Sequence, residues 1–250
     1  MSLENRVVMI TGGSGGIGRE LVKKFAAAKA NVVYTYRQKP IEMELLQQWE
    51  EKWGVCIEGY QMDITKGQQV REVIRKIMEH DKEISVLINN AGIRRDKTLL
   101  YMSEEEWEEV LQTNLTGTFW VTRALIPYLL KQRRGRIIQI SSISGINGLA
   151  GQVNYASSKA GLIGFTKALA KEVAPYGVCV NAVAPGPVQT EMLEGLTSTH
   201  MDRLLGNIPL GRVCSPEEVA RMVYAMADEE LTPQYLTGQV IALDGGMGSI

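Results

Sequence analysis

The chain has 250 residues, 45% of them hydrophobic and 22% charged, with a formal net charge of −1. That length suits one large α/β domain with a well-buried core, and the composition is that of an ordinary soluble globular protein. A charge so near zero, with lysines and arginines scattered, gives no ground for nucleic acid or an anionic membrane as partner.

In chain order, Val7–Thr11 reads as a short strand running into glycine-rich sequence, and Arg19–Ala30 as a helix. Asn31–Tyr36 is a second strand, Ile41–Trp53 a helix, Val55–Gln61 a third strand, Gln69–Glu79 a helix and Ser85–Asn89 a fourth strand. Glu104–Lys131 reads as helix, broken if anywhere near Gly117. Arg136–Ser141 is a fifth strand, Val153–Val173 a helix and Val178–Val183 a sixth strand. Pro216–Ala227 is a further helix and Gln239–Leu243 the last strand. The strand runs are near-continuously apolar, as expected of parallel strands covered on both faces. Alternating β-α units of this size predict an α/β fold: a single Rossmann-type doubly wound parallel β-sheet with helices on both faces. No linker divides it, so residues 1–250 are expected to form one domain.

The stretch around 187–212 breaks the alternation. It carries Pro187, Gly195, Gly206 and Pro209 and follows a strand end, where ligands bind in open α/β sheets. A mobile substrate lid is the functional reading, a plain surface excursion the other. Cys56, Cys179 and Cys214 lie far apart, in no disulfide or metal pattern, which fits a reducing, cytoplasmic setting. No metal site is expected. His80 and His200 have no partner at metal or triad spacing. The start, Arg6-Val-Val-Met-Ile10, reads as a strand, with no signal peptide or transmembrane helix in view.

Thr11-Gly-Gly-Ser-Gly-Gly-Ile-Gly18 joins the first strand to the first helix. Glycine permits positive φ and close backbone approach, and a helix N-terminus offers unpaired N–H groups to phosphate. The loop therefore suits a dinucleotide pyrophosphate. The second strand ends at Thr35-Tyr-Arg37, where an acid would favour NAD. Arg37 stands there instead, and a guanidinium suits a 2′-phosphate, which points to NADPH. Asp63, closing the third strand, could accept from an adenine amine or cap the helix after Thr65.

Tyr155 is followed four residues later by Lys159, which on a helix puts both on one face. A neighbouring ammonium favours phenolate, so Tyr155 is a candidate acid or base near neutral pH. Asn89-Asn-Ala-Gly92, Ser141-Ser142 and Pro185-Gly186 each close a strand, and Asn114 faces the same edge from a helix.

Taken together, Thr11-Gly-x-x-x-Gly-x-Gly18, Asn89-Asn-Ala-Gly92, Asn114, Ser142, Tyr155-x-x-x-Lys159 and Pro185-Gly186 resemble the short-chain dehydrogenase/reductases over essentially the whole chain. The resemblance implies that Tyr155 protonates a substrate carbonyl as hydride arrives. Lys159 would lower the phenol pKa and bind the nicotinamide ribose, Ser142 would hold the carbonyl oxygen, and Asn114 would hold a water behind Lys159. The interval to Tyr155 selects Ser142 over Ser141. Cofactor contacts are implied at Gly12, Ser14, Gly16, Ile17, Gly18, Arg37, Asp63, Ile64, Asn90, Ala91, Gly92, Pro185, Gly186, Val188 and Thr190, besides Tyr155 and Lys159.

Ala91-Gly-Ile-Arg-Arg-Asp96, Met102, Glu106-Trp107, the stretch Asn154–Phe165, Asn181–Gly186 and Tyr235–Gln239 with Asp244–Met247 are similar to the bacterial 3-oxoacyl-acyl-carrier-protein reductases of fatty acid synthesis. Acetoacetyl-CoA reductases and polyketide-type ketoreductases share much of this pattern. The implied substrate is a 3-oxoacyl thioester on acyl carrier protein, or on coenzyme A instead. Arg133 matches one basic carrier-docking position, but Tyr176 stands where the second arginine belongs, and Gly15 where NADPH users often carry a base. A sugar, polyol or steroid dehydrogenase is disfavoured by the lack of an acid near Tyr36. A non-catalytic nucleotide-binding scaffold is disfavoured by the retained Tyr155 and Lys159. The resemblance also implies a homotetramer. Ala156, Ser157, Ala160, Gly161 and Gly164 would permit close helix packing, either between copies or within one.

Overall fold

The computed structural model describes residues 3–79, 83–190 and 198–248. Among them, β1 (Val7–Ile10), β2 (Asn31–Tyr36), β3 (Ile57–Gln61), β4 (Ile84–Asn89), β5 (Gly135–Ile140), β6 (Val178–Pro185) and β7 (Val240–Leu243) form one sheet. The strand order is β3-β2-β1-β4-β5-β6-β7, and every neighbouring pair is parallel. The chain winds outward from β1 in one direction, then from β4 in the other. The C-terminal ends of β1 and β4 therefore meet at the topological switch point, where open α/β sheets bind ligands.

Both faces are covered. On one, α1 (Gly16–Ala27), α2 (Met43–Trp53) and α9 (Pro216–Ala227) bury Leu21, Phe25, Trp49, Val219 and Val223 against Val8, Ile10, Ile138 and Val183. On the other, α3 (Gly67–Glu79), α5 (Thr118–Gln132) and α7 (Val153–Val173) bury Val70, Ile74, Val121, Leu125 and Val173 against Met9, Leu87, Ile137 and Val180. Val8 and Ile10 face one layer and Met9 the other, which is why these strands read as unbroken apolar runs.

Element bounds differ from the sequence expectation by three residues at most. The helix α1 begins at Gly16 rather than Arg19, so the last glycines of the loop are already helical. One difference is structural. The helix read over 104–131, with Gly117 as the place for any break, runs on: α4 (Glu104–Leu111) continues through a π-helical turn, Gln112–Gly117, straight into α5. A π-turn accommodates an extra residue without ending the helix. Gly117 serves close packing instead, since a Cβ there would stand 2.8 Å from Ile64 Cδ1. The short helix α6 (Ser144–Asn147) was not visible in the sequence, and neither was α8 (Ser198–Gly206), which lies inside the stretch read as irregular. Residues 191–197 of the expected lid lie outside the described residues.

Candidate active site

The glycine loop follows β1 and is held from beneath by β4. The Thr11 hydroxyl accepts from the backbone N–H groups of Asn90 and Ala91, at 3.0 and 3.1 Å. The Asn90 amide donates to the carbonyls of Thr11 and Gly12, at 3.0 and 3.1 Å. Asn90, expected at the cofactor, thus has its amide engaged on the loop backbone. Gly12 has φ +63, and a Cβ there would meet Ala91 Cα at 2.9 Å; a Cβ on Gly18 would stand 2.0 Å from the Gly12 carbonyl oxygen. Any larger side chain would push the loop open.

Helix α1 starts on this loop with Gly15 at its N-cap, no side-chain cap and no acid in its first turn. Two other helices are treated differently: α4 and α9 carry full capping boxes, Ser103 with Glu106 and Ser215 with Glu218. An open N-terminus beside a glycine cradle fits the pyrophosphate of a dinucleotide. The segment after β6 reaches the same loop, because a Cβ on Gly16 would meet Thr190 Cγ2 at 2.8 Å. Val188, one bridge away from Cys214, and Pro185-Gly186 complete that side.

Arg37 sits exposed at the end of β2, its Nε 3.6 Å from an Asp63 carboxylate oxygen. The same Asp63 accepts from the Thr65 N–H at 3.0 Å and the Thr65 hydroxyl at 2.7 Å. Of the two uses read for Asp63, the structure shows the turn-capping one, and these bonds with Arg37 hold its pKa below the ordinary value against the opposing cost of burial. Ile64 is buried in the core against Gly117. Ser14 and Ile17 are half-buried on the loop, and Gly92 stands under Lys159.

The remaining groups gather where β5 ends. The two adjacent serines separate: the Ser141 hydroxyl donates to the Lys159 carbonyl at 2.9 Å, anchoring α7, while Ser142 stands near enough to the Tyr155 hydroxyl to favour its ionised form. Lys159 is 4% exposed, and its Nζ donates to the Ile140 carbonyl at 2.7 Å. It lies 5.6 Å from the Tyr155 ring centre. A Cβ on Gly92 would stand 3.5 Å from that Nζ and 3.1 Å from Asn114 Oδ1, so glycine there keeps the space between them clear. Asn114 is fully buried in the π-turn; its Oδ1 accepts from the Ile93 N–H at 2.8 Å, and its Nδ2 donates to the Ile93 carbonyl and to Ser158 Oγ.

In the ligand-free chain burial opposes one expectation. The Tyr–Lys spacing leads to a phenol drawn down by a nearby ammonium. In the structure the Tyr155 pKa is raised, chiefly by burial; the hydrogen bond from Ser142 and the charge of Arg94 oppose the rise, and Asp96 adds to it. Desolvation lowers Lys159 itself to about 8. The amine still carries its charge at neutral pH, but held on a backbone carbonyl it does not outweigh the cost of burying the phenolate.

Sequence reasoning passed over the residues that brace this pair. Asn154 donates to the carbonyls of Arg95 and Glu106, tying α7 to the loop before α4. Gln152, at the N-cap of α7, bonds both Asp96 and Ser144. Gln152 lies three residues before Tyr155, a spacing that signals proximity on a helix face once Tyr155 is singled out. At the opposite edge of the sheet, just before β5, Arg133 donates to the Pro175 carbonyl at 3.1 Å and lies 5.9 Å from the Tyr176 ring centre. Among the described residues no group of three or more His, Cys, Asp or Glu could hold a metal ion, and no helix is long and apolar enough to cross a membrane. His80 lies outside the described residues, as does the His200 side chain.

Residues 6–200 match the family model described as short chain dehydrogenase. The 3-oxoacyl-acyl-carrier-protein reductase FabG of Aquifex aeolicus and that of Thermotoga maritima are each 44% identical over 247 residues, 99% of this chain and 99% of theirs. The reductase of the same name from Escherichia coli is 38% identical over the same span. Among solved structures, the one titled crystal structure of gox2181 superposes with a TM-score of 0.92 at 29% identity, covering 99% of this chain and 97% of that one.

Proposed function

Since the chain belongs to the short-chain dehydrogenase family, we propose that it reduces a 3-oxoacyl thioester, carried on acyl carrier protein, to the 3-hydroxyacyl product with NADPH. The observation that carries this reading is the Ser142–Tyr155 hydroxyl pair at the end of β5, with Lys159 buried one helical turn on. The dinucleotide would supply hydride from its nicotinamide ring. The uncapped start of α1 over Gly12, Gly16 and Gly18 would hold its pyrophosphate, and Val188 and Thr190 its nicotinamide end.

The chemistry left to the protein is handling of charge and one proton. Hydride addition makes the carbonyl oxygen negative. Ser142 donates a hydrogen bond to that oxygen and Tyr155 gives it a proton. A phenol whose pKa burial has raised is protonated at neutral pH, which is the form an acid needs. Lys159 stands one turn behind, its Nζ on the Ile140 carbonyl, and would return a proton and hold the nicotinamide ribose. The Asn114 side chain is saturated by Ile93 and Ser158 on its donor side, so a water at this residue would rest on remaining acceptor capacity. Residues around 187–212, with α8 inside them, would cover the acyl chain.

Arg37 is the group for NADPH selectivity, since Gly15 has open space around it and no side chain, and Arg19 is paired with Glu42. The Arg37→Ala variant is expected to raise the KM for NADPH about 10- to 50-fold, the loss of a charge-assisted phosphate contact. The KM for NADH should move little; equal losses for both would remove Arg37 from this role.

Arg133 and Tyr176 favour a second substrate form. Arg133, the one basic residue at the two implied docking positions, is already engaged with Pro175 and Tyr176, which weakens carrier docking relative to coenzyme A. Steady-state rates with 3-ketoacyl chains on carrier protein and on coenzyme A separate the two. No NADPH oxidation with either thioester would refute the proposal.

The small-residue stripe on α7 divides. A Cβ on Gly161 would meet Leu115 at 2.8 Å within the protomer, whereas Ser157, Ala160 and Gly164 are exposed. Leu99, Leu100 and Tyr101 form an exposed apolar turn, and Phe119 and Val153 are also exposed. These faces support a homotetramer in a cytoplasmic enzyme. Light scattering is expected to give four times the 27.7 kDa chain mass, and a monomer mass would refute it.

A further inference from the structure

Ser142 does not stand alone. Its Oγ accepts from the backbone N–H of Ser144 at 3.1 Å. The Ser144 hydroxyl donates to Gln152 Oε1 at 2.9 Å, and Gln152 Nε2 donates to Asp96 Oδ2 at 2.8 Å. Asp96 in turn pairs with Arg94, Nε to Oδ2 at 3.1 Å. Ser142, Ser144 and Gln152 are each less than 9% exposed.

We infer that Asp96, Gln152 and Ser144 form a positioning chain that aims the Ser142 hydroxyl at Tyr155 and at the carbonyl oxygen the two would share. The inference rests on the reading of Ser142 and Tyr155 as the proton-handling pair.

Three physical points carry it. First, the chain has a direction. A carboxylate only accepts, so the Gln152 amide nitrogen must face Asp96, its oxygen must face Ser144, and the Ser144 hydroxyl must donate. Second, α6 is one turn long and cannot hold its own geometry. The aim of its first N–H at Ser142 is set by the Ser144–Gln152 bond and by Gly145, where a Cβ would lie 2.7 Å from the Lys159 backbone. Third, Ser142 accepts from that N–H on one side of its oxygen. This polarises its O–H and leaves it a better donor on the other side, toward Tyr155. Gln152 immediately precedes α7, so one residue fixes the serine through Ser144 and the tyrosine through the helix that follows.

Two variants test this. Gln152→Leu keeps the volume and breaks the chain. The double variant Asp96→Asn with Gln152→Glu exchanges donor and acceptor and restores it. The amide introduced at position 96 can donate to one oxygen of the carboxylate introduced at position 152, while the other oxygen accepts from Ser144. Gln152→Leu is expected to lower kcat about 10-fold or more, with the KM for NADPH within about 2-fold, as a misaimed oxyanion donor does. The double variant is expected within about 3-fold of the parent kcat.

A second readout needs no substrate. In the ligand-free protein, ultraviolet difference titration against Tyr155→Phe reports the Tyr155 phenol. The charged groups facing it, Arg94, Asp96 and Lys159, are unchanged in Gln152→Leu. Its titration should move upward, because only the donation from Ser142 has been lost; the double variant, which moves the carboxylate to position 152, is read by kcat alone. Parent-like kcat in Gln152→Leu, an unmoved phenol titration, or a double variant no better than the single would overturn the inference. A parent protein that reduces no carbonyl refutes the functional reading instead, and the titration still decides the positioning chain.

Discussion

Tyr155→Phe is expected to lower kcat for carbonyl reduction by about 10²- to 10⁴-fold, the range ascribed to a positioned proton donor. The substitution removes one oxygen and leaves the ring that packs beside Lys159 in place. NADPH affinity, read by fluorescence quenching, should change by less than about 3-fold, because the phosphate end of the site lies on α1 and Arg37. The loss therefore falls on kcat and on kcat/KM together, the pattern of an interaction made in the transition state. Ser142 cannot replace the missing acid. Its own proton is far less acidic than a phenol's, and it is already committed as a hydrogen-bond donor. Retention of more than about a tenth of the parental kcat would exclude Tyr155 as the acid. Melting temperature provides the control, since phenylalanine keeps the ring beside Lys159.

Most of this site was readable before any coordinates, and the reasons are local. Tyr155 and Lys159 share a helix face at any packing, because spacing alone fixes their relation. Ser142, Asn90 and Pro185 lie at strand ends, and parallel strands all end at one edge once the βαβ hand is fixed. The choice of Ser142 over Ser141 follows from the interval to Tyr155, and in the structure Ser141 turns under to bond the Lys159 carbonyl. What was not readable depends on contacts between distant segments. Asp96 and Gln152 are 56 residues apart and meet only because Asn154 ties the loop after β4 to α7. The helix α6 has too few residues to show a period. The π-turn around Asn114 looked like a break because Gly117 costs helix propensity, whereas its function is contact with Ile64. Spacing gives proximity to Lys159, but only the fold shows that the amine is buried and held on Ile140.

That burial makes Lys159 the residue at which stability and chemistry oppose one another. Lys159→Met is expected to reduce kcat/KM about 100-fold or more, since the buried cation behind the acid is lost. The same change should stabilise the ligand-free protein at pH 7. The sign follows from the direction of the shift. Lys159 in the folded chain titrates near 8, below its ordinary value of 10.5, because burial disfavours the charged form. The folded state thus carries the full cost below pH 8, and the cost fades as pH rises toward the unfolded value, where both states are neutral. A shift of that size corresponds to about 3 kcal/mol, of which the lost bond to Ile140 returns about 1. Methionine fills the volume, so no cavity offsets the rest. Urea denaturation should therefore show the variant more stable by about 1–2 kcal/mol at pH 7, with the difference shrinking toward zero near pH 10. A variant less stable than the parent at pH 7 would mean that the Lys159 charge is compensated in the ligand-free protein. The bond to the Ile140 carbonyl would then be a strong anchor of α7 rather than a resting place for an amine awaiting its ligand.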